Sequence, residues 1–294
     1  MDWSKAKNIL ILAFLALNIF LGYSLWKEAY LLFPSRVVTY QEIEKAEQKL
    51  DSINLELKAS IPRQIYFMSF LTVSNKTYEG EDLAGILFSE EYSIDRSNEE
   101  EGFVVFQEGK NELAIWDKGK VVFTREPFSS IEDEAQEMEE EEAASVAEEF
   151  LQEFGLFPFE ARLEEVVAFE DGRYFLLYNQ VYKNQALFGS YLKVWVHPNG
   201  VEGFELYWLK PEGFSGEDIS TVSAASALLN LSEVISESEE KKVVESISIG
   251  YYSEAFDAQK WDTVPVWRIK ITGRGIYFIN AYTGELEGKD ENNF

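Results

Sequence analysis

The sequence predicts an α+β protein: a single N-terminal transmembrane helix, then an extracytoplasmic body of antiparallel sheets each packed with a helix. Three observations predict it. Ile9 to Trp26 is an apolar run with Asn18 as its one clearly polar side chain. Apolar stripes at helical spacing recur after the residues 39, 142 and 223. Between them, alternating β-like runs are punctuated by Asp-Gly and Asn-Gly pairs.

The apolar run spans about 27 Å as a helix, enough to cross the hydrocarbon of a bilayer. Its exit reads Gly22-Tyr23-Ser24-Leu25-Trp26-Lys27, with aromatics where a signal peptidase needs small residues. Tyr23 and Trp26 suit the membrane interface, so the segment is expected to remain as an anchor in the lipid bilayer. Lys5 and Lys7 precede it and Lys27 with Glu28 follows, which favours a short cytoplasmic N-terminus and an extracellular body. Within the anchor, Leu15, Asn18, Gly22 and Leu25 share one helical face. An amide in lipid gains by bonding a neighbouring helix, and Gly permits close approach, so this face is the candidate partner-binding site; one tolerated Asn served by water or headgroups is the plainer alternative.

Thr39-Tyr40-Gln41-Glu42 fits a capping box, and Ile43, Ala46, Leu50, Ile53 and Leu57 continue one stripe. Strands are expected at Gln64–Val73, Gly102–Gln107, Leu113–Trp116 and Val121–Thr124, the last two joined by Asp117-Lys118-Gly119-Lys120. Glu132 to Glu142 is dense in carboxylates; without the spacing of a calcium loop it reads as a solvated linker running into a helix start. Ala143, Ala147, Phe150, Leu151 and Phe154 then form a stripe that Gly155 stops. From Glu164 to Trp208 strands are separated by Asp171-Gly172, Asn184-Gln185 and Asn199-Gly200. Pro211–Gly216 breaks the pattern before a helix carrying Ala224, Ala227, Leu228, Leu231 and Ile235, capped by Ser220 or Ser223. Strands return at Val243–Tyr252, Val264–Thr272 and Gly275–Ala281.

The expected divisions are 1–7, 8–27 (anchor), 28–127 (first lobe), 128–142 (acidic linker), 143–212 and 213–294. The last two share an order of helix, strands and turn. Setting Gly200 on Gly284, an offset of 84 residues, brings their apolar phases into agreement; a duplication and a chance match of two hairpins both fit.

Bulk chemistry excludes several classes. The chain carries −27, and beyond the first 27 residues 23 basic face 52 acidic side chains, so nucleic acid is a poor partner. No cysteine exists for disulfides or thiolate chemistry. His197 is the single histidine and sits at a strand end before Pro198-Asn199-Gly200, which reads as a turn residue and not a triad member. No G-x-S-x-G elbow is present, and Gly273-Arg274-Gly275 lies between strands, unlike a phosphate loop. A carboxylate pair of the glycosidase kind is singled out nowhere, so no catalytic, cofactor or metal site is expected. Tyr182, Tyr191, Trp195, Tyr207, Trp208, Trp261, Trp267 and Tyr277 line a groove or, more simply, fill cores.

Met1-Asp2-Trp3-Ser4-Lys5-Ala6-Lys7, followed by Leu17-Asn18-Ile19-Phe20-Leu21-Gly22-Tyr23, resembles the start of the YycI (WalI) family. The tail from Trp267-Arg268-Ile269-Lys270 to Tyr282-Thr283-Gly284-Glu285-Leu286 is similar to PepSY-type repeats. The resemblance implies a non-enzymatic, membrane-anchored regulator that binds a WalK-like sensor histidine kinase together with a YycH-like protein and tunes control of cell-wall metabolism. A wall- or peptide-binding module of PepSY type is the alternative, ahead of a carboxylate-based hydrolase.

Overall fold

The structure, a computed structural model, describes residues 7, 13–15, 17–21, 37–89, 91–128, 138–235, 240–253 and 258–290. Much of the expected anchor, with Gly22 and Leu25, and most of the acidic linker (129–137) lie outside the described residues. Among the described residues no helix is long and apolar enough to cross a membrane.

The first full helix, α1 (Tyr40–Asp51), starts at the expected capping box. The Thr39 hydroxyl accepts from the Glu42 N–H at 3.3 Å, and the Glu42 carboxylate accepts from the Thr39 N–H at 2.8 Å. The helix stops at Asp51, so the expected stripe ends at Leu50, and Leu57 belongs instead to a short strand, β1 (Leu55–Leu57). β2 (Phe67–Asn75) leads to α2 (Gly80–Leu87), a helix with no clear sequence signal that buries Leu83, Ala84 and Leu87. Strands β3 (Ser93–Asp95), β4 (Phe103–Glu108), β5 (Asn111–Trp116) and β6 (Lys120–Thr124) follow as an antiparallel meander.

α3 (Glu140–Glu153) places Glu140, Glu141 and Glu142 in its first turn, where the helix dipole favours carboxylates. A second meander comprises β7 (Ala161–Ala168), β8 (Tyr174–Tyr182), β9 (Gln185–His197) and β10 (Gly200–Tyr207). Its β8–β9 turn is Lys183-Asn184, both at positive φ, one residue earlier than the sequence suggests. Pro211–Gly216 is not a break: it lies inside β11 (Leu209–Ser220), whose pairing with β2 absorbs it through register shifts. Ser223 caps α4 (Ala224–Val234), its hydroxyl accepting from the Ser226 N–H at 3.1 Å. A third meander closes the chain: β12 (Lys242–Tyr252), β13 (Lys260–Ile271), β14 (Gly275–Asn280) and β15 (Leu286–Asp290).

Hydrogen bonding links the strands into one branched sheet with two helix-covered regions. In the first, α2 and α3 pack on β4–β6 and β8–β10 through Leu113, Phe123, Tyr178, Val194 and Phe204. In the second, α1 and α4 pack on β12–β14 through Leu50, Leu228, Val244, Trp267 and Ile279. A smaller core under the β2–β11 ribbon joins them with Leu71, Leu187, Leu209 and Tyr251. The chain thus crosses between regions: α1 lies against α4, whereas β6 pairs with β10. α3 and α4 begin 84 residues apart, the offset found in the sequence, and each is followed by a four-stranded antiparallel meander.

Candidate functional site

Of the four residues proposed for the anchor face, Leu15 and Asn18 are helical and exposed, and Gly22 and Leu25 lie outside the described residues. The large apolar side chains described beside them, Phe14 to Leu21, are 47% to 66% exposed.

His197 is the last residue of β9, at the strand end before the turn, as its position suggests. Its Nδ1 accepts from the Asn199 N–H at 3.1 Å and its ring stacks on Phe128. The aromatic strand faces mostly fill cores: Tyr207, Trp208, Trp261, Trp267 and Tyr277 are buried. The Trp267 indole N–H donates to the Val222 carbonyl, and the Trp261 indole N–H to the Ser253 hydroxyl. Among the described residues no cluster of His, Asp and Glu is placed to hold a metal ion.

The site that sequence reading missed is a cleft of about 400 Å³ between the second and third meanders. Each meander covers one face with helices. On β8 and β9, Tyr178, Leu192 and Val194 point to α3, so Leu177, Asn179, Tyr191 and Lys193 point the other way. On β13 and β14, Trp267, Ile269 and Tyr277 point to the α1–α4 layer, which sends Arg268, Lys270, Ile276 and Phe278 into the cleft. The two helix-free faces therefore meet each other.

A β-bulge fixes their closest contact. Pairing steps from Leu163↔Tyr178 to Glu165↔Leu177, leaving Glu164 as the extra residue on β7. Both consecutive carboxylates then reach β13: Glu164 Oε1 lies 2.9 Å from Arg268 Nη1, and Glu165 Oε1 lies 2.6 Å from Lys270 Nζ. Glu245 approaches Lys270 at 3.6 Å from β12. The Arg268 guanidinium also lies over the Phe188 ring, and Phe278 stacks on Tyr252 at 3.9 Å.

At one end of the cleft, the Tyr191 hydroxyl donates to Glu205 at 2.5 Å and Lys120 lies 3.0 Å from the same oxygen. Burial pushes the Tyr191 hydroxyl well above its ordinary range, and the neighbouring Glu205 carboxylate adds to this. For Glu205, burial acts to raise the carboxyl, but the hydrogen bonds from Tyr191 and Lys120 outweigh it and hold the group below its ordinary value. The only sequence signal for this cleft is the alternation Trp267-Arg268-Ile269-Lys270-Ile271, which marks a charged strand face without saying what covers it.

Comparison with known proteins gives a family and a fold. Residues 35–282 match the family model described as YycI protein. No curated protein matches the sequence. An uncharacterized protein from Eubacterium rectale ATCC 33656 has a similar fold, with a TM-score of 0.54 at 14% identity over 84% of this chain and 99% of its own. The Bacillus megaterium YpeB C-terminal domain aligns at a TM-score of 0.36 and 17% identity, over 88% of this chain and 100% of its own.

Proposed function

The chain belongs to the YycI family, whose members are membrane-associated, non-catalytic regulators connected with the WalK/WalR two-component system, and from that premise we propose that it binds a WalK-like sensor histidine kinase together with a YycH-like protein. The family match over most of the body carries this reading. The apolar run Ile9–Trp26 supports a single-pass topology with the body outside the cell.

A kinase poised between two packings of its transmembrane helices is biased by any helix that prefers one of them, and only differential affinity shifts that balance. The face of Leu15, Asn18, Gly22 and Leu25 is the element proposed to supply that preference. The body adds an extracytoplasmic contact. Its net charge of −29 beyond residue 27 favours a partner with a basic surface over one as acidic as itself.

Crosslinking in native membranes followed by identification of the captured proteins tests the proposal. A sensor kinase and a second single-pass protein of the same system are expected. Recovery of neither, with the chain itself efficiently crosslinked, would sink it.

A further inference from the structure

Among the described residues five strands, β1, β3, β7, β11 and β15, pair with a neighbour on one side only. A free edge presents N–H and C=O groups that another strand can bond. β1, β3 and β15 are only three to five residues long. β11 is blunted by Pro211 and by two shifts of register. β7 differs. Ala161-Arg162-Leu163-Glu164-Glu165-Val166-Val167-Ala168 runs for eight residues without Gly or Pro, and its pairing with β8 leaves the whole outer edge open. Leu163 on this strand is 40% exposed, and Phe159, two residues before it, is fully exposed.

The side chains of β7 divide between its two faces. Ala161 and Val166 pack toward α3, whereas Arg162 and Glu165 lie opposite Asn179 and Leu177, on the face turned to the cleft. Arg162 is exposed and has no ion pair among the described residues. Glu165 meets Lys270 through Oε1, and a carboxylate accepts several hydrogen bonds. Turned about a two-fold axis between Leu163 and Glu164, the strand is complementary to itself. Arg162 then faces the second copy's Glu165, Ala161 faces the second copy's Val166, and each pair occurs twice. Both pairs join side chains of one face, as antiparallel partners must. Phe159 comes to the second copy's Ala168 at either end. A step of one residue sets Arg162 against either Glu164, which Arg268 already holds, or Val166. Charge along this edge is balanced, Arg162, Arg268 and Lys270 against Glu160, Glu164 and Glu165, so a basic partner gains little here. The acidic excess elsewhere on the chain is screened within about 8 Å at physiological salt.

We propose that β7 pairs antiparallel with β7 of a second copy of this chain, continuing the sheet across two bodies in the register that sets Arg162 on the second copy's Glu165. One strand pair is a small interface, so a Kd of about 10 µM is expected. The pairing concerns an edge of the body, and its failure leaves the kinase-binding reading standing.

The chain has no cysteine, so a single introduced thiol reports the contact. Leu163→Cys in the full-length chain, in detergent at about 1 µM and so below the expected Kd, is treated with bismaleimidoethane. A covalent dimer is expected, because the two copies of residue 163 are diagonal neighbours across the axis. Ile94→Cys, on the β3 edge and also 40% exposed, measures random collision and is expected to stay monomeric. Adding Arg162→Glu to Leu163→Cys sets like charges opposite each other in two places and is expected to slow crosslinking about tenfold. Arg162 has no ion pair in its own chain, and thermal unfolding verifies that the variant folds. Equal crosslinking at positions 163 and 94 overturns the proposal. So does a rate at position 163 that Arg162→Glu leaves unchanged.

Discussion

Arg268 and Glu164 meet at 2.9 Å between two meanders of the sheet that are each backed by helices on their opposite sides. Arg268 comes from the middle of β13, Glu164 from a bulge on β7, and the guanidinium is almost wholly withdrawn from solvent. Removing one member of such a pair leaves the other uncompensated in a poorly solvated site.

Glu164→Gln is therefore expected to destabilise the protein by about 2 kcal/mol, below the usual 3–5 because Glu164 retains partial contact with water. The double variant Glu164→Leu with Arg268→Met is expected to recover most of that loss, since it removes the desolvation cost as well as the attraction. Urea midpoints of the three proteins decide the matter, and a double variant less stable than the single one would contradict it.

Glu205 links stability to pH. Its folded-state carboxyl titrates below its ordinary value, so the unfolded chain takes up the proton first as pH falls. The contribution is fully present above the unfolded value, about 4.3, and is lost as pH drops through the lower folded value. Glu205→Gln is expected to be less stable at neutral pH and to flatten the acid limb of a plot of urea midpoint against pH. Parallel curves for the two proteins would show that Glu205 makes no such contribution.

Gly119 closes the β5–β6 hairpin at φ +85°, and a methyl group added there would overlap the Lys76 carbonyl oxygen. Gly119→Ala combines a left-handed backbone position with this collision and is expected to cost 2 kcal/mol or more, roughly, by chemical denaturation. Gly109→Ala is the control: its φ is also positive, at +61°, but nothing lies within 4 Å. The expected order is a clearly smaller loss for G109A.

If the proposed anchor contacts a WalK-like kinase, Asn18→Leu together with Gly22→Leu is expected to weaken co-purification with it about tenfold, the equivalent of one or two interhelical contacts of order 1 kcal/mol each. Quantitative recovery from solubilised membranes measures this, with total membrane levels of both chains held equal. Unchanged recovery and unchanged kinase output would remove the helix-contact reading.

Local signals made much of the fold legible. The Thr39–Glu42 capping box, the Gly155 stop and the Ser223 cap are written within a few residues of where they act. The turns at Asp171-Gly172 and Asn199-Gly200 likewise need particular backbone conformations that few residues adopt. α2 escaped notice because eight residues give barely two turns of periodicity, and Pro211–Gly216 misled because a bulged strand tolerates the residues that usually break one.

Alternation along Trp267-Arg268-Ile269-Lys270-Ile271 determined which side of β13 faces a helix, because burial of every second side chain is a property of the strand itself. What covers the other side is not. That β7 gains one extra residue at Glu164, that α1 travels the length of the chain to lie on α4, and that two charged sheet faces close on Asn179 were all decided by packing between distant segments. A sequence records the preferences of each element locally; the choice among long-range partners is settled only when the apolar surfaces compete for one another in three dimensions.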